Sequence, residues 1–176
     1  MNRKGFTLVE LLGVIVILGI IMLIAIPNIA SLTQKNKKNT YIADSKKLVS
    51  LAQRALKKGE KDKPGDNNIE IITLESLSTS DVEKDSDGNT YDTEKSYVAV
   101  SRINSYLVYG VQLVTYDDND NTYEGIPFTR VENLDGSNKY NYYNSGLSTS
   151  SSPAVVLSTD SSTIATALAA EPDEGD

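Results

Sequence analysis

Residues 3–27 read RKGFTLVELLGVIVILGIIMLIAIP, and the fold turns on how this stretch is taken. From Phe6 to Ile26 the run is almost wholly apolar, about the length of helix needed to cross a bilayer core. Arg3 and Lys4 precede it, as expected for a cytoplasmic N-terminus, but Lys35, Lys37 and Lys38 follow, so local charge leaves the orientation open. A cleaved secretory signal fits the basic start. It fits poorly the length of the run, the early carboxylate and the lack of a small-x-small cleavage site after it. A plain signal anchor satisfies the hydropathy equally well. A buried core helix is disfavoured because the run is apolar on every side.

Glu10 discriminates among these. A carboxylate in hydrocarbon costs on the order of 3 kcal/mol on insertion scales, and a plain anchor gains nothing from it. Two readings stand: Glu10 lies near enough to the interface to reach water, or it has a charged partner.

Arg3-Lys4-Gly5-Phe6-Thr7-Leu8-Val9-Glu10 resembles the cleavage and methylation signature of type IV prepilins and their pseudopilin relatives. Several features occur in fixed order: a short basic leader ending in glycine, then phenylalanine, then a glutamate fifth in the mature chain. An apolar run follows with a proline, Pro27, near its end. The resemblance covers roughly the first sixth of the chain; beyond Pro27 only the layout is similar.

The resemblance implies a role for each matched residue. Gly5 precedes the bond cut by a membrane-embedded prepilin peptidase. Phe6 becomes the new, N-methylated terminus and keeps its positive charge. Glu10 pairs with that amine on an adjacent subunit, each charge compensating the other in apolar surroundings. The implied partners are further copies in a helical homopolymer, the peptidase, an assembly ATPase and a membrane platform protein. The implied location is the cytoplasmic (inner) membrane as precursor, then an extracellular filament at the cell surface. Pro27 crowds the carbonyl of Leu23 and kinks or loosens the helix. Gly19, like Gly13, weakens it by up to about 1 kcal/mol relative to alanine. The resemblance implies that the stretch from Gly19 to Pro27 melts into extended chain within the filament.

The chain of 176 residues has no histidine, cysteine or tryptophan. The commonest transition-metal ligands and the favoured general base are therefore missing, and no disulfide can form. Residues 1–63 carry twelve Lys/Arg against four Asp/Glu, and residues 64–176 carry five against twenty. The resulting +8 and −15 give the net charge of −7. So acidic a C-terminal body repels nucleic acid. The basic stretch suits anionic lipid or the acidic bodies of neighbouring copies.

The remaining sequence predicts an α+β pilin-like fold. A leader covers 1–5, an apolar membrane and filament-core helix 6–28, and an amphipathic helix 29–58 continues it. In that second half Tyr41, Leu48, Ala52 and Ala55 recur at helical spacing with Ile42, Val49 and Leu56 alongside. Gly59 and Pro64-Gly65 end it. A β-rich head over 59–144 follows, an antiparallel sheet of about four strands laid on the helix. Its strands are read at 96–103 and 106–116, joined by a tight turn at Asn104-Ser105, at Phe128–Val131, and after the Asp135-Gly136 turn near Tyr140–Tyr143. A short helix or strand is expected around Ile69–Leu77. The Ser/Thr/Ala-rich acidic region 145–176 offers Ala154–Leu157 as a strand, Ile164–Ala170 as a short helix, and exposed Ser/Thr as acceptors for O-linked sugar.

Two clusters invite a calcium reading. Asp85-x-Asp87-x-Asn89 opens like an EF-hand loop, but Thr90 stands where the glycine belongs and Ser96 where the bidentate glutamate belongs. Asp117, Asp118 and Asp120 make a second oxygen-rich turn, and such residues are also what turns use. No phosphate loop and no Ser/His/Asp set is present, so neither an enzyme nor a cofactor is expected. The expectation is a structural filament subunit, a major pilin serving adhesion, motility or aggregation. The runner-up is a minor pilin or a secretion or competence pseudopilin. The contrasting class is a membrane-anchored extracytoplasmic binding domain that never polymerises.

Overall fold

The first helix, α1, runs from Leu8 to Lys58. It begins where Thr7 and Glu10 satisfy its free amides. It ends where Gly59 takes φ +75°, a left-handed conformation that costs glycine nothing. Glu60 N–H donates to Ala55 O at 3.0 Å and Gly59 N–H to Leu56 O at 3.4 Å, so the last carbonyls are satisfied by a Schellman closure. The computed structural model describes residues 7–66, 68–117, 122–134, 144–147 and 161–169. The side chains of residues 24–28, 30, 117, 144–146, 161 and 163 are outside that description. The helix is assigned without interruption through Pro27. By contacts the chain divides into two units, one up to Asn36 and one from Lys37 onward.

In the second unit the buried residues of α1 are Tyr41, Ile42, Ser45, Leu48, Val49, Ala52, Ala55 and Leu56, one stripe at helical spacing. All but Ser45 and Ala55 cluster with Ile72, Val98, Val100, Val111, Leu113 and Ile126 from the sheet. Each large apolar side chain so buried stabilises the head by roughly 1.5–3 kcal/mol.

The sheet is an antiparallel meander of five strands in sequence order. They are β1 (Ile69–Thr73), β2 (Tyr97–Ile103), β3 (Tyr106–Asp117), β4 (Thr122–Arg130) and β5 (Asn144–Leu147). The expected α+β architecture is the one observed. Asn104 and Ser105 both have positive φ, 50° and 71°, as a two-residue hairpin of primed type requires. The ambiguous region 69–77 is both things at once: β1 leads directly into α2 (Leu74–Leu77), capped where the Thr73 side chain accepts from Ser76 N–H.

One strand starts earlier than expected. β4 begins at Thr122 rather than Phe128, while Val131 belongs to a 3-10 turn over Val131–Asn133. Gly125 and Pro127 disguise it in the sequence. Gly125 at φ +144° is there because a Cβ would meet Leu113 O at 2.2 Å and Tyr41 Cε1 at 2.9 Å. The Tyr140–Tyr143 and Ala154–Leu157 strands expected from sequence lie outside the described residues.

β2 is buried along both faces from Tyr97 to Ser101. Alternation sends Val98 and Val100 into the cluster with α1, and Tyr97 and Ala99 into a second cluster. That second face is covered by α3 (Ser161–Ala169), through Ile164 and Leu168, with Ile69, Ile71 and Phe128 packed beside them. Gly110 makes room for the contact, since a Cβ there would meet Phe128 Cζ at 2.3 Å and Leu168 Cδ2 at 3.1 Å. The head is therefore three layers, helix on sheet on helix.

Candidate assembly site

The start of α1 is an N-terminal capping box. Thr7 N–H and Thr7 Oγ1–H both donate to Glu10 Oε2, at 2.8 and 2.9 Å, and Glu10 N–H donates back to Thr7 Oγ1 at 3.3 Å. The Thr7-x-x-Glu10 spacing was a readable signal for this, and reading Glu10 only as an assembly charge overlooks it. Within one copy, Glu10 already has a local partner at the helix end.

Every large apolar side chain from Leu8 to Leu23 is exposed, from 48% at Val14 and Leu18 to 81% at Leu8. Nothing lies within 4 Å of a Cβ built on Gly13 or Gly19. Among the described residues no helix is long and apolar enough to cross a membrane. Gly5 and Phe6 lie outside the described residues, and of Pro27 only the helical backbone is described.

The oxygen-rich turn at 85–89 is committed to holding itself together. Asp85 is buried; its Oδ1 accepts from Asp87 N–H and Asn89 N–H, both at 2.9 Å. Its Oδ2 accepts from Asn89 Nδ2–H at 3.2 Å and Tyr41 O–H at 3.3 Å. Asp87 turns elsewhere: its carboxylate and that of Glu124 grip Lys37 Nζ at 2.7 and 2.6 Å. Lys37 sits four residues before Tyr41, in line with the buried stripe. Burial alone lowers the Lys37 pKa, but pairing with Asp87 and Glu124 outweighs it and the net direction is upward. Asp117 closes β3, and Asp118 and Asp120 lie outside the described residues. Among the described residues no three carboxylates are grouped to hold a metal ion.

Tyr41 and Tyr91 anchor this turn to α1 and the sheet. Their rings meet edge to face, 5.5 Å between centroids. Tyr41 Oη lies 2.6 Å from Thr115 Oγ1, and Tyr91 O–H donates to Asp44 at 2.8 Å.

The uncovered apolar helix, opened by a threonine–glutamate cap, coincides with a known pattern. A family model for the prokaryotic N-terminal methylation motif matches residues 1–26. The N-terminus carries the motif of a type IV pilin-like prepilin. No curated protein and no solved structure matches it. For a pilin-like prepilin the motif implies processing by a prepilin peptidase and assembly into a pilus or pseudopilus. The motif covers the first 26 residues only, so the head of this pilin-like chain is described by its own geometry.

Proposed function

We propose that this prepilin is the structural subunit of a surface filament. It is cut between Gly5 and Phe6, N-methylated at Phe6, and polymerised through α1 into a type IV pilus used for adhesion, motility or aggregation. The observation that carries the reading is the apolar surface of Leu8–Leu23, which the described chain leaves uncovered, with a carboxylate at its start. Contiguous exposed apolar surface of this kind marks a membrane or protein contact.

Held in the membrane as a precursor through Phe6–Ile26, the helix buries the same surface among neighbouring helices after assembly. Transfer from lipid to a protein core gives little hydrophobic gain, so extraction needs an ATPase and a platform protein to drive it. In the polymer, Glu10 accepts the charged amine of Phe6 from an adjacent copy while Thr7 continues to satisfy the helix end. No catalytic role is proposed for the head.

Glu10→Ala tests the mechanism. Processed, membrane-held protein with no filaments in the sheared surface fraction is the expected outcome. Normal filaments from that variant would remove the proposed pairing, and a chain that never leaves the membrane in the unaltered protein would favour the anchored binding domain instead.

A further inference from the structure

The charge division of the sequence becomes two faces of the head. Along α1 from Ala43 to Lys58 the exposed positions are Ala43, Lys46, Lys47, Ser50, Arg54, Lys57 and Lys58, cationic or neutral throughout. Lys47 Nζ–H donates to Asp81 O at 2.6 Å, and Lys58 lies 3.4 Å from Glu60. Lys46, Arg54 and Lys57 make no ion pair among the described residues.

The opposite sign gathers on the segment joining β1 to β2. Glu75, Glu83 and Glu94 are exposed and, like the exposed Lys84 next to Glu83, make no ion pair among the described residues. Glu75 and Glu83 flank a groove of about 440 Å³ whose walls include Val82, Tyr91, Thr79 and Thr90. No cation lines that groove.

We infer that the cationic face of α1 in one copy docks on the Glu75/Glu83/Glu94 face of a second copy. Two facts select that occupant. The complementary surface is present on the same molecule, so every copy brings both halves of the contact. A second copy can set its own negative face directly against these cations, so opposite charges meet locally although each copy carries a net charge of −7. Two different surfaces suit a head-to-tail contact, and such a contact builds an open filament where its rotation does not close. The inference rests on the filament reading and adds to it a head-to-head register set by charge. Contacts of this exposed kind weaken as salt screens them.

Charge reversal in the full chain tests it. One variant carries Lys46→Glu, Arg54→Glu and Lys57→Glu, a second carries Glu75→Lys, Glu83→Lys and Glu94→Lys, and a third carries all six. All six positions are exposed, so the core is untouched. Filament yield is read in sheared surface fractions at low and high salt. Self-association of the purified full chain in nonionic detergent is read by sedimentation at the same two salts.

The expected result is salt-sensitive association of the unaltered chain, its loss in either three-site variant, and its recovery in the six-site variant. Loss without recovery would overturn the inference, because the two faces would then not meet. Loss on reversing α1 alone would also overturn it, assigning those cations to some other anion. Filaments indifferent to every reversal would overturn the interface and leave the filament reading standing. Salt-sensitive association in detergent, restored by the six-site variant, without filaments from the unaltered chain would do the reverse.

Discussion

At Gly125 one missing side chain lets α1 and the sheet approach. Its φ of +144° and the 2.2 Å and 2.9 Å separations from a notional Cβ to Leu113 O and Tyr41 Cε1 combine strain with collision. Gly125→Ala is expected to cost about 2 kcal/mol or more. Urea unfolding checks this, with a lower midpoint at an unchanged slope; an unchanged midpoint would mean the approach is slack. The tyrosines beside it make a second prediction. Burial, first, pushes the Tyr41 phenol above its usual range, with Asp85 and Glu124 adding to it against the Thr115 hydrogen bond. Burial and then Asp44 do the same for Tyr91. The folded head thus holds these protons where the unfolded chain releases them, so their contribution is complete below about pH 10 and is lost as pH rises beyond it. Part of the tyrosinate absorbance should therefore appear only together with loss of the circular dichroism of the fold. Ionisation of the full tyrosine complement in a still-native head would contradict this. At this scale the sequence was readable where spacing carries meaning. Glu10 stood out by its cost in an apolar run, and the Thr7-x-x-Glu10 cap was there to be read. Lys37, by contrast, gains its role only when Asp87 and Glu124, fifty and eighty-seven residues away in sequence, converge on it.

Among the elements, α1 and the β2–β3 hairpin were the most legible because local physics dictates them. The 3.6-residue stripe from Tyr41 to Leu56 and the density of β-branched and aromatic residues through 97–116 need no distant information. β4 was legible only at its end, since Gly125 answers a demand made by Tyr41, eighty-four residues earlier, and so interrupts the local pattern. α3 was legible as a helix but not as a cover. Nothing in Ser161–Ala169 announces that Ile164 and Leu168 close over Tyr97, Ala99 and Phe128, although the two-sided burial of β2 requires some cover. Leu168→Ala is expected to lower stability by about 2–4 kcal/mol, because the space it leaves lies between helix and sheet where collapse is only partial. Chemical unfolding of the full chain measures that loss. A change below about 0.5 kcal/mol, the range of ordinary surface substitutions, would mean that α3 is not part of the folded head.

For the whole molecule, two surfaces carry the functional account. The apolar surface of Leu8–Leu23 supplies what a polymer core or a bilayer takes up, and the charge-divided head supplies what can set copies in register. The apolar N-terminal surface was legible, since its run from Leu8 to Leu23 is contiguous in the chain. The head surfaces were legible only as the +8 and −15 of the two halves. Their division into an α1 face and a Glu75/Glu83/Glu94 face depends on which charges the fold leaves in water, and Asp85, Glu124 and Lys37 are among those it withdraws. The most direct test of the filament account is intact mass with N-terminal sequencing of the protein recovered from a sheared surface fraction. The account predicts a chain that begins at Phe6 with a methylated amine. A chain that begins at Met1 and is confined to the membrane fraction would contradict it.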